Sequence, residues 1–115
     1  MNHGPTFAQR RYWDRVSAMG CVICHGVAEI AHCHGGSLVE KTGVKAKGVK
    51  LRYMHWLVLP LCVVHHRDTS EEGLDRDVGA WEARFGSQVG WIDVLITRTG
   101  VNVWELAKSR HAWAG

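Results

Sequence analysis

Two short pairs, Cys21-Val-Ile-Cys24 and Cys62-Val-Val-His65, constrain this chain more than any other feature. A Cys-x-x-Cys turn offers two thiolates to one ion, and Cys62 and His65, three apart, share a face of a helix's first turn. Together they make a Cys3His set, the closed tetrahedral donor group that zinc favours because soft thiolates and imidazole suit it. Everything from His25 to Leu61 lies between the pairs, more than in a simple finger, so the ion would clasp the two ends of a ββα unit. A buried thiol cluster or a redox Cys-x-x-Cys is the alternative, although a redox pair does not require a second Cys-x-x-His.

Compartment decides how four cysteines are used. Met1-Asn-His-Gly-Pro lacks a charged segment followed by an apolar run, so no secretory signal is expected. No stretch approaches the roughly 20 apolar residues of a membrane span. A reducing, cytoplasmic setting follows, where such cysteines serve as ligands more often than as disulfides. At 115 residues one domain is expected over 1–115, and six tryptophans promise a small core that a metal would reinforce. The net charge of +3 permits a polyanion partner without demanding one.

Along the chain, Thr6 is placed to cap a helix from Phe7 to Met19 that Gly20 ends, giving an N-terminal helix over 6–20. Phe7, Tyr12, Val16 and Met19 form its apolar side; Arg10, Arg11 and Arg15 make a basic flank that is either solvated or in contact with phosphate. The metal-clasped core spans 21–70. Val27 to Cys33 reads as a strand, on which His32 and His34 share one face and Cys33 takes the other. From Ser37 to about Met54 no period emerges. Lys41, Lys45, Lys47, Lys50 and Arg52 suggest a long, mobile, basic loop, available to phosphate or simply solvated. Trp56-Leu-Val-Leu reads as a buried strand, with Pro60 at the switch into a helix starting near Leu61. C-terminal helices follow over 77–113. Asp77 caps one carrying Trp81 and Phe85; Ser87 caps one with Val89, Ile92, Leu95 and Ile96 inward; Asn102 caps a last one that buries Val103, Leu106 and Trp113. The fold class is α+β, a small clasped core with flanking helices.

His32, His34, His66 and Asp75 are left over from the clasp. His66 follows His65 by roughly 100° round a helix, so it should face a different site. If the two strands pair against that helix, two or three imidazoles and a carboxylate can hold a divalent cation with open positions and leave one imidazole free as a base. Each histidine alone would more commonly be solvated or hydrogen-bonded; four candidates beside a metal clasp mark a site.

Cys21-x-x-Cys24, Ala31-His32, the Gly- and Lys-rich stretch, Leu59-Pro-Leu-Cys62-x-x-His65-His66 and Trp81-Glu-x-x-Phe85-Gly-Ser-Gln88 together resemble the phage-borne HNH nucleases related to the recombination-enhancement nuclease. The resemblance covers about Cys21 to Leu95 and is most specific in the Leu-Pro-Leu-Cys-x-x-His-His block. It implies a ββα-metal fold, metal-dependent DNA cleavage, His32 as general base and His66 as ligand of a catalytic cation (magnesium, manganese, nickel or zinc). Asp75 is the nearest match to a further family histidine before the Trp-Glu helix. Where many HNH sites place Asp-His or His-His at the strand end, this chain has Ala31-His32, and His34 is the nearest substitute ligand. Ser70, one turn after His66, stands where His or Asn is frequent. The alternative is an inactive zinc-binding module for nucleic acid or protein. A domain this small also suggests a recruiting protein, which no segment identifies.

Overall fold

Helix α1 (Phe7–Ser17) starts where Thr6 and Gln9 satisfy each other's backbone: Thr6 Oγ1 accepts from Gln9 N–H at 3.1 Å, and Thr6 N–H donates to Gln9 Oε1 at 2.7 Å. The computed structural model describes residues 4–43 and 54–110, the side chains of Ser109 and Arg110 excepted. Gln9, Tyr12 and Val16 form the buried face of α1. Phe7, expected on that face, is 76% exposed, and its ring centroid lies 5.8 Å from the Arg11 guanidinium carbon.

At Gly20 the chain leaves α1 with φ +86, and a Cβ there would lie 2.9 Å from His25 O. Only glycine fits this turn, which delivers the chain directly into the cysteine knuckle.

Strand β1 (Glu29–His32) pairs antiparallel with β2 (Val58–Leu61), from Glu29 opposite Leu61 to His32 opposite Val58. Both strands differ from their expected bounds. Val27 is 94% exposed and precedes β1, while His34 follows it, so alternation along the strand does not set the direction of His34. Pro60 lies inside β2 rather than at a helix start. Cys33 N–H donates to Leu57 O, so the bonded pairs fall at Ala31–Leu59 and Glu29–Leu61. Pro60 then occupies a position where an N–H would face away from β1, and no ladder bond is lost. Its carbonyl, on that outer side, accepts from Val22 N–H at 3.0 Å and ties the knuckle to the sheet. All of β2 is buried, packed against both α1 and a later helix over Gln88–Thr99.

Between the strands Gly36–Thr42 forms helix α2, where a loop was expected. The signal is weak in sequence: a glycine start without a side-chain cap, and only Leu38 and Thr42 buried. Glycine at 43 ends it with φ +74. Lys41 belongs to this helix, its Nζ 5.2 Å from the centroid of the Trp104 ring. Lys45, Lys47, Lys50 and Arg52 lie outside the described residues, as does Trp113.

Helix α3 (Val63–His66) is a single turn after Cys62. Helices α4 (Val78–Phe85), α5 (Gln88–Thr99) and α6 (Val103–Arg110) complete the described chain. Asp77 and Ser87 cap α4 and α5 as expected, and Gly86 and Gly100 end them. Among the described side chains of α6 the buried ones are Val103 and Ala107, four apart, and the expected Leu106 is 38% exposed. The described residues therefore form a small α+β fold, a two-stranded sheet with six helices. Among them, no helix is long and apolar enough to cross a membrane.

Candidate functional site

Cys21, Cys24, Cys62 and His65 converge, with ligand atoms all within 4.8 Å of one another. Cys24 Sγ lies 3.6 Å from Cys62 Sγ, and His65 Nδ1 lies 3.1 Å from Cys62 Sγ and 3.7 Å from Cys21 Sγ. A tetrahedron with arms of about 2.3 Å has edges of about 3.8 Å, so this set fits a four-coordinate metal ion.

The knuckle is built by backbone. His25 N–H donates to Cys21 O and Cys21 N–H to Gly26 O, both at 2.8 Å, with His25 at φ +66. Ile23 N–H approaches Cys21 Sγ at 3.4 Å. Burial raises the Cys21 thiol, but neighbouring N–H donors outweigh it and hold the pKa below the ordinary thiol value, which favours the thiolate a metal needs. On the helix side His65 is fixed from behind: its carbonyl accepts from Leu74 N–H and Trp81 Nε1–H, each at 3.0 Å, and its Nε2 faces Glu72 Oε1 at 3.7 Å. Cys33, the remaining cysteine, stays in the core, where burial pushes its thiol well above the ordinary value.

A second cluster gathers around His66, the residue after His65. His34 Nε2 is 2.9 Å from Asp75 Oδ1, and His66 Nε2 is 3.2 Å from Asp75 Oδ2, so one carboxylate spans two imidazoles. The segment after α3 folds back to bring Asp75 there, and Asp75 N–H donates to His66 O at 2.9 Å. That return depends on Gly73, where a Cβ would lie 1.8 Å from Arg67 O. Gln88 sets His34 from outside the strand: its Oε1 accepts from His34 N–H at 2.9 Å and its Nε2 donates to His34 O at 3.0 Å. Three of the four leftover candidates thus meet directly. The array is more open than the clasp, since the two histidines reach different oxygens.

His32, the fourth, ends β1 and is paired elsewhere. Its Nε2 lies 2.9 Å from His55 Nδ1, and the Trp13 ring stands edge-on to it at 5.4 Å between centroids. Burial first, and then the charges of His55 and His66, lower its pKa to about 4; Asp75 opposes this and His34 adds to it. His32 is therefore an unprotonated imidazole at neutral pH, within electrostatic reach of the His34–Asp75–His66 array.

Sequence reading missed two residues here. Glu29 Oε2 makes a short contact with His66 Nδ1, while its carboxylate takes Arg67 Nε at 3.0 Å and Nη2 at 2.8 Å. The Arg67 hydrogen bonds, then His66, outweigh burial and draw the Glu29 pKa down to about 2. Glu29 thereby holds the His66 ring with Nε2 toward Asp75, a typical arrangement behind a metal-binding histidine. The other is His55, just before a buried run. A lone acid at a strand start and a histidine beside a tryptophan carry no spacing signal, and only the strand register brings them to the cluster.

Neither the curated proteins nor the solved structures give a match to this sequence. The family model described as recombination enhancement, RecA-dependent nuclease matches residues 5–103, which include both halves of the clasp, Glu29, His32, His34, His55, His66 and Asp75. The chain belongs to the recombination-enhancement, RecA-dependent nuclease family.

Proposed function

We propose that this protein is an HNH-type endonuclease that hydrolyses DNA phosphodiester bonds, with a structural zinc in the Cys21–Cys24–Cys62–His65 clasp and a catalytic divalent cation on His66, Asp75 and His34. The observation that carries the reading is the opposed use of two consecutive histidines in a member of a nuclease family: His65 turns to the thiols, and His66 turns to Asp75 with Glu29 behind it. In this reading β1, β2 and α3 are the ββα-metal core.

His32 is the general base. It takes a proton from the attacking water as the water oxygen bonds to phosphorus and the bond to the 3′ oxygen breaks. Burial leaves its ring unprotonated at neutral pH, and packing against Trp13 limits the orientations of the ring. His66, Asp75 and His34 would hold the divalent cation, which when bound would neutralise charge on the scissile phosphate and the departing oxygen. Arg67, exposed and paired with Glu29, Lys41 on α2 and the lysines of the following segment would meet backbone phosphates, giving salt-sensitive, sequence-independent binding. The family description names RecA dependence, which supports recruitment by a RecA-type partner on DNA.

Plasmid nicking in magnesium, manganese or nickel tests the reading against that of a zinc-clasped binding module. Wild type should nick; His32→Ala should retain the clasp metal and fail to nick. Equal nicking by His32→Ala would remove His32 as the base.

A further inference from the structure

A general base needs one ring nitrogen free and the other held. For His32 the held nitrogen is Nε2, 2.9 Å from His55 Nδ1. Two imidazole nitrogens at that separation share one proton, one donating and the other accepting. If His55 donated, the proton of His32 would sit on Nδ1, and neither nitrogen of His32 would carry an available lone pair. If His32 donates from Nε2, its Nδ1 is the lone-pair atom.

His55 is itself anchored. Its carbonyl accepts from Trp13 Nε1–H at 2.7 Å, and the Trp13 ring packs edge-on against both imidazoles, at 5.4 Å from His32 and 5.6 Å from His55. Helix α1 thus fixes the backbone that presents His55, and one indole braces the two rings.

We propose that His55 is a positioning residue for the hydrolytic site: its Nδ1 accepts from His32 Nε2–H, locks His32 in the Nε2–H tautomer and directs Nδ1 to the attacking water. The inference rests on His32 being the base. The role is the one commonly filled by a carboxylate or a backbone carbonyl behind a catalytic histidine. Here it is filled by a second imidazole, which orients the ring without adding negative charge.

The tautomer is directly readable by long-range proton–nitrogen NMR correlation on the intact, zinc-loaded wild type. His32 should carry its proton on Nε2, with Nδ1 unprotonated; an Nδ1–H tautomer overturns the proposal. Kinetics give the second arm. In plasmid nicking His55→Ala should lower kcat about 10- to 100-fold with KM within about twofold, in line with loss of an orienting partner. His55→Asn should restore most of that kcat, because its amide oxygen can accept at the position of Nδ1. A His55→Ala enzyme with wild-type kcat, beside an inactive His32→Ala, overturns the positioning role alone. Full activity in His32→Ala overturns the assignment of the base, and the proposal with it.

Discussion

His65 and His66 are consecutive residues that serve two sites: His65 Nδ1 lies 3.1 Å from Cys62 Sγ, and His66 Nε2 lies 3.2 Å from Asp75 Oδ2. The roughly 100° between successive helical residues separates them. One helical turn therefore fastens the knuckle and supplies the second cluster at once, so the clasp fixes the position of His66 as well as the fold.

The clasp should be indispensable for folding. Structural zinc contributes on the order of 10 kcal/mol in small metal-dependent domains. Cys21→Ser and Cys62→Ser are expected to lose cooperative melting, measured by circular dichroism alongside metal content. A metal-free variant that melts like wild type would contradict this.

Glu29 should govern cation affinity and leave the clasp alone. Removing the partner behind a metal-binding histidine costs about 10- to 100-fold in affinity or activity. Glu29→Ala is expected to raise the cation concentration for half-maximal nicking by about that factor, with clasp metal unchanged. An unchanged cation dependence would show that His66 needs no support from β1.

Gly73 should be intolerant of a side chain although its backbone is not left-handed. A Cβ meets Arg67 O at 1.8 Å, which is backbone on both sides, so the return loop must shift. Gly73→Ala is expected to cost about 2–3 kcal/mol or more, as forced overpacking does, and to weaken the cation site by displacing Asp75. Thermal melting and cation titration check the two effects separately.

Acid should destabilise the fold partly through His32. Its folded pKa, about 4, lies below the ordinary value of 6.5, so the unfolded chain binds a proton first. The stability it contributes is complete above about 6.5 and is lost as pH falls from there toward about 4. Glu29, drawn from 4.5 to about 2, adds a second loss below about 4.5. His32→Gln should therefore show a shallower fall in melting temperature between pH 6.5 and 4 than wild type.

Much of this site was legible in the chain. Cys-x-x-Cys and Cys-x-x-His required no fold to be paired, and the adjacent histidines implied two destinations from helix geometry alone. The caps at Thr6, Asp77 and Ser87 set helix starts correctly because capping is local. Pro60 misled, since its tolerance depends on which side of β2 its nitrogen faces, a property of register. Helix α2 was missed because its stability comes from packing of Leu38 and Thr42, with no cap to announce it. Glu29 and His55 were missed because their partners are 37 and 23 residues away in sequence.

The most direct test is paired metal analysis and plasmid nicking on single preparations of wild type and His66→Ala. The account predicts about one tightly bound zinc in each, with cation-dependent nicking by wild type and none by His66→Ala. Wild-type nicking by His66→Ala at ordinary cation concentration, or loss of the zinc from that variant, would contradict the division of labour between His65 and His66.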